Sequence, residues 1–311
     1  MPELIGYILT LDALFTWGIA SLVYKFSLGK IESKPGLLFR LIFVSFSTFI
    51  LALFFGTFSF ISLLSSQNLI SYILACLISG LSVTIGDLLY FASLKKIDVS
   101  RAFPLTQLSL IFVYPFAFIL FGEELKLSII LGGSLILLSA FILSTKDRKD
   151  LNENGSEKKN QSSEKMVFGV LLAIASAILW GLSIVAFNQA RIISKDVFVT
   201  NFIRVFFGAI FFIILGIFQK DYYASFYKEN RKIIKYFLFV GIAGALSLGL
   251  ADTLFYKAVE INGLTLTSTF TANTPMVQQI LSVIILKEKF RRKFIIAVGL
   301  IIIGNYLILF L

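Results

Sequence analysis

Ten apolar stretches, each long enough to cross a lipid bilayer, follow one another along this chain. A transmembrane helix needs about 20 apolar residues to cross about 30 Å of hydrocarbon. The stretches cover residues 4–24, 36–55, 69–93, 102–121, 127–144, 167–190, 198–218, 236–258, 264–286 and 294–311. In hydrocarbon the backbone must pair its polar groups, which a helix does within a single segment. The sequence therefore predicts an all-α integral membrane protein with ten transmembrane helices, which we number spans 1 to 10.

The same order of landmark residues occurs twice, once in each half of the chain. Each copy runs from a Trp-Gly pair through Arg and Asp to Glu, in steps of 23, 47 and 36 residues in the first half and 24, 48 and 36 in the second. The landmarks are Trp17, Arg40, Asp87 and Glu123, followed by Trp180, Arg204, Asp252 and Glu288. Each copy contains five spans, and a unit with an odd number of spans faces the opposite way when it is repeated. We therefore predict two inverted five-helix repeats, residues 1–145 and 167–311, joined by a charged linker of residues 146–166.

The composition agrees with a membrane protein and excludes several functional classes. Hydrophobic residues make up 58% and charged residues 15% of the chain, which is too apolar for an ordinary soluble domain. The net charge of +10 comes from Lys and Arg at the ends of apolar stretches, so it indicates membrane boundaries rather than nucleic-acid binding. His is absent and Cys76 is the only cysteine. We therefore expect no metal site, no cofactor, no intramolecular disulfide and no enzymatic activity.

Basic residues fall mainly on one side of the predicted membrane. Of the 28 Lys and Arg residues, 23 lie at the ends that join spans 1 to 2, 3 to 4, 5 to 6, 7 to 8 and 9 to 10. The remaining five are Lys126, Arg191, Lys195, Arg204 and Lys257. The basic side follows span 1 but precedes span 6, as oppositely oriented repeats require. By the positive-inside rule, this side faces the cytoplasm and both termini lie outside.

The repeated halves also share a set of short motifs. Each half has a Trp-Gly pair in its first span, an Arg early in its second span and a Glu at the turn into its fifth. This arrangement resembles the ten-span EamA-type branch of the drug/metabolite transporter superfamily, over the whole chain except the linker. The resemblance implies a multi-pass membrane transporter whose termini lie in the cytoplasm, so the orientation stays open between the two predictions. Asp87 and Asp252 depart from the pattern, because many relatives carry an apolar or small residue at these positions.

Ionisable residues inside the spans are candidate transport residues, because an ionised group there costs about 2.5 to 3.5 kcal/mol or more. Asp87 and Asp252 follow small residues at helical spacing. Each either binds substrate or a proton, or forms a structural pair with a hydrogen-bond donor or an arginine. Asp12 has no counterpart in the second half, which favours a role in substrate or ion binding, with a position near the interface as the alternative. Arg40 and Arg204 are expected about one turn inside their helices, where they either extend to the headgroups or close a gate with a carboxylate.

Spans 4 and 9 carry polar residues along one helical face. In span 9 these residues recur at steps of three or four, and such a face must contact protein or water rather than lipid. The candidate cavity residues are Thr271, Thr274 and Gln278 in span 9, and Gln107 and Tyr114 in span 4. Hydrogen bonding between helices is the alternative role. Pro104 and Pro275 are predicted to interrupt the backbone ladder and permit bending.

Two further pairs of residues occupy equivalent places in the halves. Trp17 and Trp180 are predicted either to present their indoles to a substrate or to pack against the neighbouring repeat. Glu123 and Glu288 stand in the turns after spans 4 and 9. They are predicted to cap the N-terminus of the helix that follows each turn.

Together these features favour a secondary active or facilitative transporter, an exporter of small metabolites or amino acids that alternates access between two inverted repeats. A non-transporting membrane receptor or assembly scaffold is the alternative. The expected partners are a small-molecule substrate and the lipid bilayer, with proton coupling left open, no nucleic acid, and either a monomer or a homodimer. The expected location is the plasma membrane. The chain has no Walker-type phosphate loop, so it cannot drive transport with ATP by itself.

Overall fold

The computed structural model describes residues 2–59, 61–62, 68–144, 156–219, 233–287 and 293–310. Within these residues all regular structure is helical. Eight helical segments among them are long and apolar enough to cross a membrane, and Leu127–Leu143 is a shorter apolar helix. The remaining segment, span 9, is divided into two short helices. The predicted all-α membrane fold, with ten spans in two five-helix repeats, is confirmed.

Seven spans are uninterrupted α-helices within the described residues. They are Pro2–Leu28 (span 1), Ser33–Phe55 (span 2), Asn68–Leu94 (span 3), Leu127–Ser144 (span 5), Ser156–Ser194 (span 6), Val197–Phe218 (span 7) and Lys293–Phe310 (span 10). Span 4 is broken into Val99–Thr106 and Ser109–Phe121, and span 9 into Leu264–Thr271 and Thr274–Ile285. Span 8 is α-helical over Ile234–Gly244 and Asp252–Asn262, with a π-helical segment, Ala245–Ala251, between them.

The breaks in spans 4 and 9 lie beside the two prolines at which bending is predicted. Pro104 is inside the first helix of span 4, where it has no N–H to donate. The backbone after Pro104 forms a tighter turn, in which the Gln107 N–H donates to the Pro104 carbonyl, three residues earlier, at 3.2 Å. Pro275 stands in the first turn of the second helix of span 9, where a missing N–H leaves no hydrogen bond unmade. At both breaks the ends of the short helices leave backbone groups outside the regular helical ladder.

The two repeats pack against each other through matching contacts. Span 1 packs on spans 8 and 9, and its counterpart, span 6, packs on spans 3 and 4. Span 2 lies against span 7, and span 5 lies against span 10. Every such contact has an equivalent in the other repeat. This is the pattern expected of inverted repeats related by a two-fold axis in the membrane plane.

Glycines allow close approach where equivalent spans meet. A Cβ added to Gly132 of span 5 would lie 2.5 Å from the Gly304 carbonyl oxygen of span 10, and one added to Gly304 would lie 2.7 Å from the Gly132 carbonyl oxygen. Gly80 of span 3 faces the backbone of span 7 at Arg204 and Gly208 in the same way. In a membrane, such small-residue contacts replace the hydrophobic effect as the means of holding helices together.

Candidate functional site

A cavity of about 130 Å³ lies between the two repeats. Its wall is built from spans 1 to 4 of the first repeat and spans 6 to 9 of the second. Of the candidate residues predicted from the sequence, eight line it. They are Trp17, Arg40, Asp87, Gln107, Trp180, Arg204, Asp252 and Thr271. The cavity therefore gathers residues that are far apart in the sequence and come from both repeats.

Each repeat contributes one ion pair to this wall. Arg40 of span 2 bonds the carboxylate of Asp87 on span 3, and Arg204 of span 7 bonds the carboxylate of Asp252 on span 8. The exposed fraction is 5% for Arg40 and 1% for Arg204. Of the two alternatives for these arginines, extension to the headgroups is therefore wrong. Each arginine bonds a carboxylate, and a role in gating stays a prediction. Each arginine lies about two turns, not one, from the start of its helix. Its carboxylate partner holds the side chain inside the bundle.

Two aromatic rings flank each arginine. The Arg40 guanidinium carbon lies 4.9 Å from the ring centre of Tyr24 and 5.6 Å from that of Phe91. The Arg204 guanidinium carbon lies 4.6 Å from the ring centre of Phe187 and 5.4 Å from that of Tyr256. Such cation–π contacts stabilise a desolvated guanidinium by about 2 kcal/mol or more.

Sequence reasoning missed the role of two of these rings. Tyr24 and Phe187 each follow the tryptophan of their own repeat by seven residues, and this common spacing was the available signal. The Tyr24 hydroxyl accepts a hydrogen bond from Arg40 Nε at 2.9 Å and pairs with the Ser247 hydroxyl at 2.6 Å. Tyr24 therefore connects the ion pair of the first repeat to span 8 of the second.

The π-helical segment of span 8 is held by Asn201 of span 7. Its amide nitrogen donates to the carbonyls of Leu248 and Gly249 at 3.2 and 3.1 Å. Its amide oxygen accepts from Arg204 Nε at 2.8 Å. A π-helix leaves carbonyls available for such bonds, and π-helical turns often occur at functional sites. Asn201 thus joins the irregular backbone before Asp252 to the arginine that this aspartate binds.

The two tryptophans differ in what their indole nitrogens contact. Trp17 Nε1 donates to the Asp252 carboxylate at 3.0 Å and to the Ser247 carbonyl at 3.3 Å. Trp180 Nε1 is buried and bonds to none of the described residues. The Tyr90 hydroxyl, also on the cavity wall, is buried and unbonded in the same sense. The Tyr90 and Trp180 ring centres are 5.3 Å apart.

Six candidate residues are not part of the cavity wall: Pro104 and Pro275, at the helix breaks described above, and the four that follow. Asp12 is exposed on span 1 and does not reach the cavity. Thr274 and Gln278 are fully buried beside Gly18 of span 1, where span 9 packs on span 1. The Tyr114 hydroxyl pairs with the Thr269 hydroxyl at 2.6 Å. Tyr114 and Thr274 thus occupy helix contacts rather than the wall of the cavity.

Two acidic side chains bond backbone N–H groups of the other repeat. The Glu123 carboxylate accepts hydrogen bonds from the backbone N–H groups of Leu264 and Thr265 at 2.6 and 2.8 Å. It caps span 9 of the other repeat, so the prediction that it caps the following helix, span 5, is wrong. Asp196 accepts from the N–H groups of Thr57 and Phe58, in the loop after span 2, at 2.7 and 2.9 Å. The helix that Asp196 caps is its own, span 7, through the Val199 N–H at 3.1 Å. Glu288 lies outside the described residues.

The EamA-like transporter family matches residues 4–145 and 167–310, which is nearly the whole chain and corresponds to two copies of one unit. The chain belongs to the EamA-like transporter family. It is therefore an integral membrane protein and a membrane transporter, and its family is one of transporters rather than enzymes. The resemblance seen in the sequence motifs is confirmed.

Two individual comparisons agree with this assignment. An uncharacterized transporter of Archaeoglobus fulgidus is 25% identical over 229 residues, which cover 74% of this chain and 73% of the relative. A crystal structure superimposes with a TM-score of 0.66, covering 98% of this chain and 95% of its own, at 17% identity. At that identity the second comparison supports the fold alone.

Proposed function

We propose that this EamA-like protein exports small neutral or zwitterionic metabolites, amino acids among them, by alternating access through the cavity between its repeats. The observation that carries the proposal is the charge balance of the cavity wall. Its two arginines face two aspartates, one pair from each repeat. Burying a further net charge in a low-dielectric site is costly, so a substrate without net charge is favoured.

The size of the cavity limits the substrate. An apolar cavity of about 150 Å³ in another protein binds benzene. A cavity of about 130 Å³ therefore suits a molecule of about six to eight non-hydrogen atoms. The wall combines ring faces with hydroxyl, amide and indole groups, and such walls bind ligands that have an apolar part and a few polar groups.

Polar contacts between equivalent spans lie on either side of the cavity and support alternating access. On the basic side, the Lys25 ammonium of span 1 donates to the Leu94 and Ile97 carbonyls at the end of span 3, at 2.6 and 2.9 Å. On the opposite side, Arg191 at the end of span 6 lies 3.9 Å from Glu260 of span 8. Spans 6 and 8 are the counterparts of spans 1 and 3. We propose that releasing one contact while keeping the other opens one face of the bundle.

The proposal is tested by flux into proteoliposomes that contain the purified protein. The panel is L-alanine, L-valine, L-glutamate, L-lysine and putrescine, each measured with and without a pH gradient. We expect uptake of the zwitterions alanine and valine to exceed uptake of the charged compounds. An uptake rate that depends on the pH gradient would indicate proton coupling. An uptake rate that the gradient leaves unchanged would indicate facilitated transport.

A pair of neighbouring substitutions controls the flux experiment. Ala20 is buried on the cavity wall, whereas Ile19 is 49% exposed on the outer surface of the same helix. Ala20→Phe fills the cavity and is expected to abolish uptake, while Ile19→Phe leaves it unchanged. Folded wild-type protein that moves no member of the panel would contradict the proposed function and favour a receptor or scaffold.

A further inference from the structure

We propose that the Trp180 indole N–H and the Tyr90 hydroxyl form a donor subsite that binds a carboxylate of the substrate. This inference deepens the proposed function and rests on it. It narrows the substrate class from small neutral or zwitterionic molecules to zwitterions, because a bound carboxylate leaves the site without added net charge only if the substrate also carries a cationic group. It also identifies the two residues that recognise the carboxylate.

The first observation is that both donors are buried and that neither makes a hydrogen bond of 3.5 Å or less with the described residues. A buried donor with no acceptor costs about 1 to 3 kcal/mol, and native structures rarely keep one without a reason. The Ser21 hydroxyl on the same wall donates to the Gly18 carbonyl at 2.7 Å, and its oxygen interacts with the Tyr90 hydroxyl. A hydroxyl is a weaker acceptor than a carboxylate, so a ligand carboxylate competes for the phenol, and no described side chain competes for the Trp180 indole.

The second observation is the behaviour of the equivalent tryptophan. Trp17 occupies in the first repeat the place of Trp180 in the second, and it donates to a carboxylate, that of Asp252. By repeat symmetry the matching partner of Trp180 would be Asp87, but Asp87 bonds Arg40 and not the indole. One half of the cavity thus has an indole–carboxylate bond within the protein. The other half has the indole alone, and a substrate carboxylate completes it.

The third observation is the position of the Trp180 ring. A Cβ added to Gly86 would lie 2.7 Å from Trp180 Cδ1 and 2.9 Å from Nε1. The donor edge of the indole therefore rests on a glycine of span 3, one residue before Asp87. The equivalent residue before Asp252 is Ala251. Because Gly86 has no methyl group, the Trp180 indole can pack directly against span 3. The methyl group of Ala251 prevents the same packing of Trp17 against span 8.

Two conservative substitutions test the subsite. Trp180→Phe and Tyr90→Phe keep an aromatic ring and remove one donor each. The probes are L-valine, isobutylamine, which lacks the carboxylate, and isovalerate, which lacks the ammonium. We expect each substitution to raise the KM for L-valine uptake about 10- to 100-fold, the value of a hydrogen bond to a charged group, and to leave the low uptake of isobutylamine unchanged.

The matched control is Tyr72→Phe. Tyr72 is a buried tyrosine on the same span as Tyr90, but its hydroxyl faces Thr200 at 3.3 Å, away from the cavity. Its loss is expected to leave the KM unchanged. A Trp180→Phe protein with the wild-type KM for L-valine would overturn the subsite while the proposed transport function stands.

Fluorescence separates binding from transport, because Trp17 and Trp180 are the only tryptophans of the chain. L-Valine should change the emission of the Trp17→Phe protein, in which Trp180 alone emits, and should not change that of the Trp180→Phe protein. This response without any flux would support the subsite and contradict the transport function. Wild-type protein that shows neither flux nor an emission change with any of the three probes would overturn both.

Discussion

The indole nitrogen of Trp17 lies 3.0 Å from the carboxylate of Asp252, so span 1 of the first repeat is fastened to the ion pair of the second. The equivalent nitrogen of Trp180 makes no bond within the described residues. Tryptophans at equivalent positions therefore differ in their contacts. Trp17 supports the structure of the cavity wall, whereas the role in substrate binding proposed above falls to Trp180.

This difference predicts unequal effects on stability. Trp17→Phe and Trp180→Phe remove the same atoms, but only the first breaks a hydrogen bond to a charged group, worth about 1.5 to 3 kcal/mol. We expect Trp17→Phe to lower the free energy of unfolding by that much more than Trp180→Phe, measured by denaturation in detergent micelles. Equal losses would show that the Trp17–Asp252 bond contributes little.

The buried ion pairs predict strong coupling between their members. Asp87→Asn leaves Arg40 charged and unpaired, and breaking such a pair costs about 3 to 5 kcal/mol. The double substitution Arg40→Gln with Asp87→Asn removes both charges and is expected to be more stable than either single variant. Unfolding free energies of the four proteins give the coupling, and additive losses would contradict a buried pair.

The cap of span 9 predicts graded losses at Glu123. Glu123→Ala removes an acceptor for two backbone N–H groups of another helix and should cost about 0.5 to 2 kcal/mol. Glu123→Gln keeps one amide oxygen and should cost less. The neighbour Glu124 is exposed, so Glu124→Ala serves as the control in the same unfolding measurement. A loss at Glu124 as large as at Glu123 would rule out the cap as its cause.

The contact at Gly86 predicts a defect in binding. Gly86→Ala places a methyl group against the donor edge of Trp180 and should displace the indole, raising the KM for L-valine uptake about 10-fold or more. Gly299→Ala is the control, because a Cβ there meets no atom within 4 Å. A Gly86→Ala protein that is folded and has an unchanged KM would show that the position of the indole is not limiting.

The charge distribution predicts the orientation. Cys76 is buried. A cysteine introduced at the exposed position Lys30 or Lys126 is therefore expected to be the one that reacts with a membrane-impermeant thiol reagent. If the positive-inside rule holds, Lys126→Cys reacts in intact cells and Lys30→Cys reacts only after permeabilisation. The reverse pattern would place both termini in the cytoplasm, as the family resemblance implies.

Much of the fold could be predicted because its signals are local or periodic. Span length follows from apolar runs, and the repeats follow from residue spacing. Both can therefore be predicted without knowing which residues are in contact. The site was predicted in part. Arg40 and Asp87 were each singled out, but they are 47 residues apart on different helices, and only packing brings them together as a pair. Asp12 drew attention as an ionised residue without a counterpart, yet its helix turns it away from the cavity.

The sequence by itself determined the all-α membrane class, the two inverted repeats and eight of the residues that line the cavity, because hydrophobic length and spacing are properties of the chain. The tertiary structure decided which of these residues meet. Trp17 and Trp180 share a local motif, because each begins a Trp-Gly pair. Their hydrogen bonds differ because the opposite repeat presents a carboxylate to Trp17 and the backbone of Gly86 to Trp180.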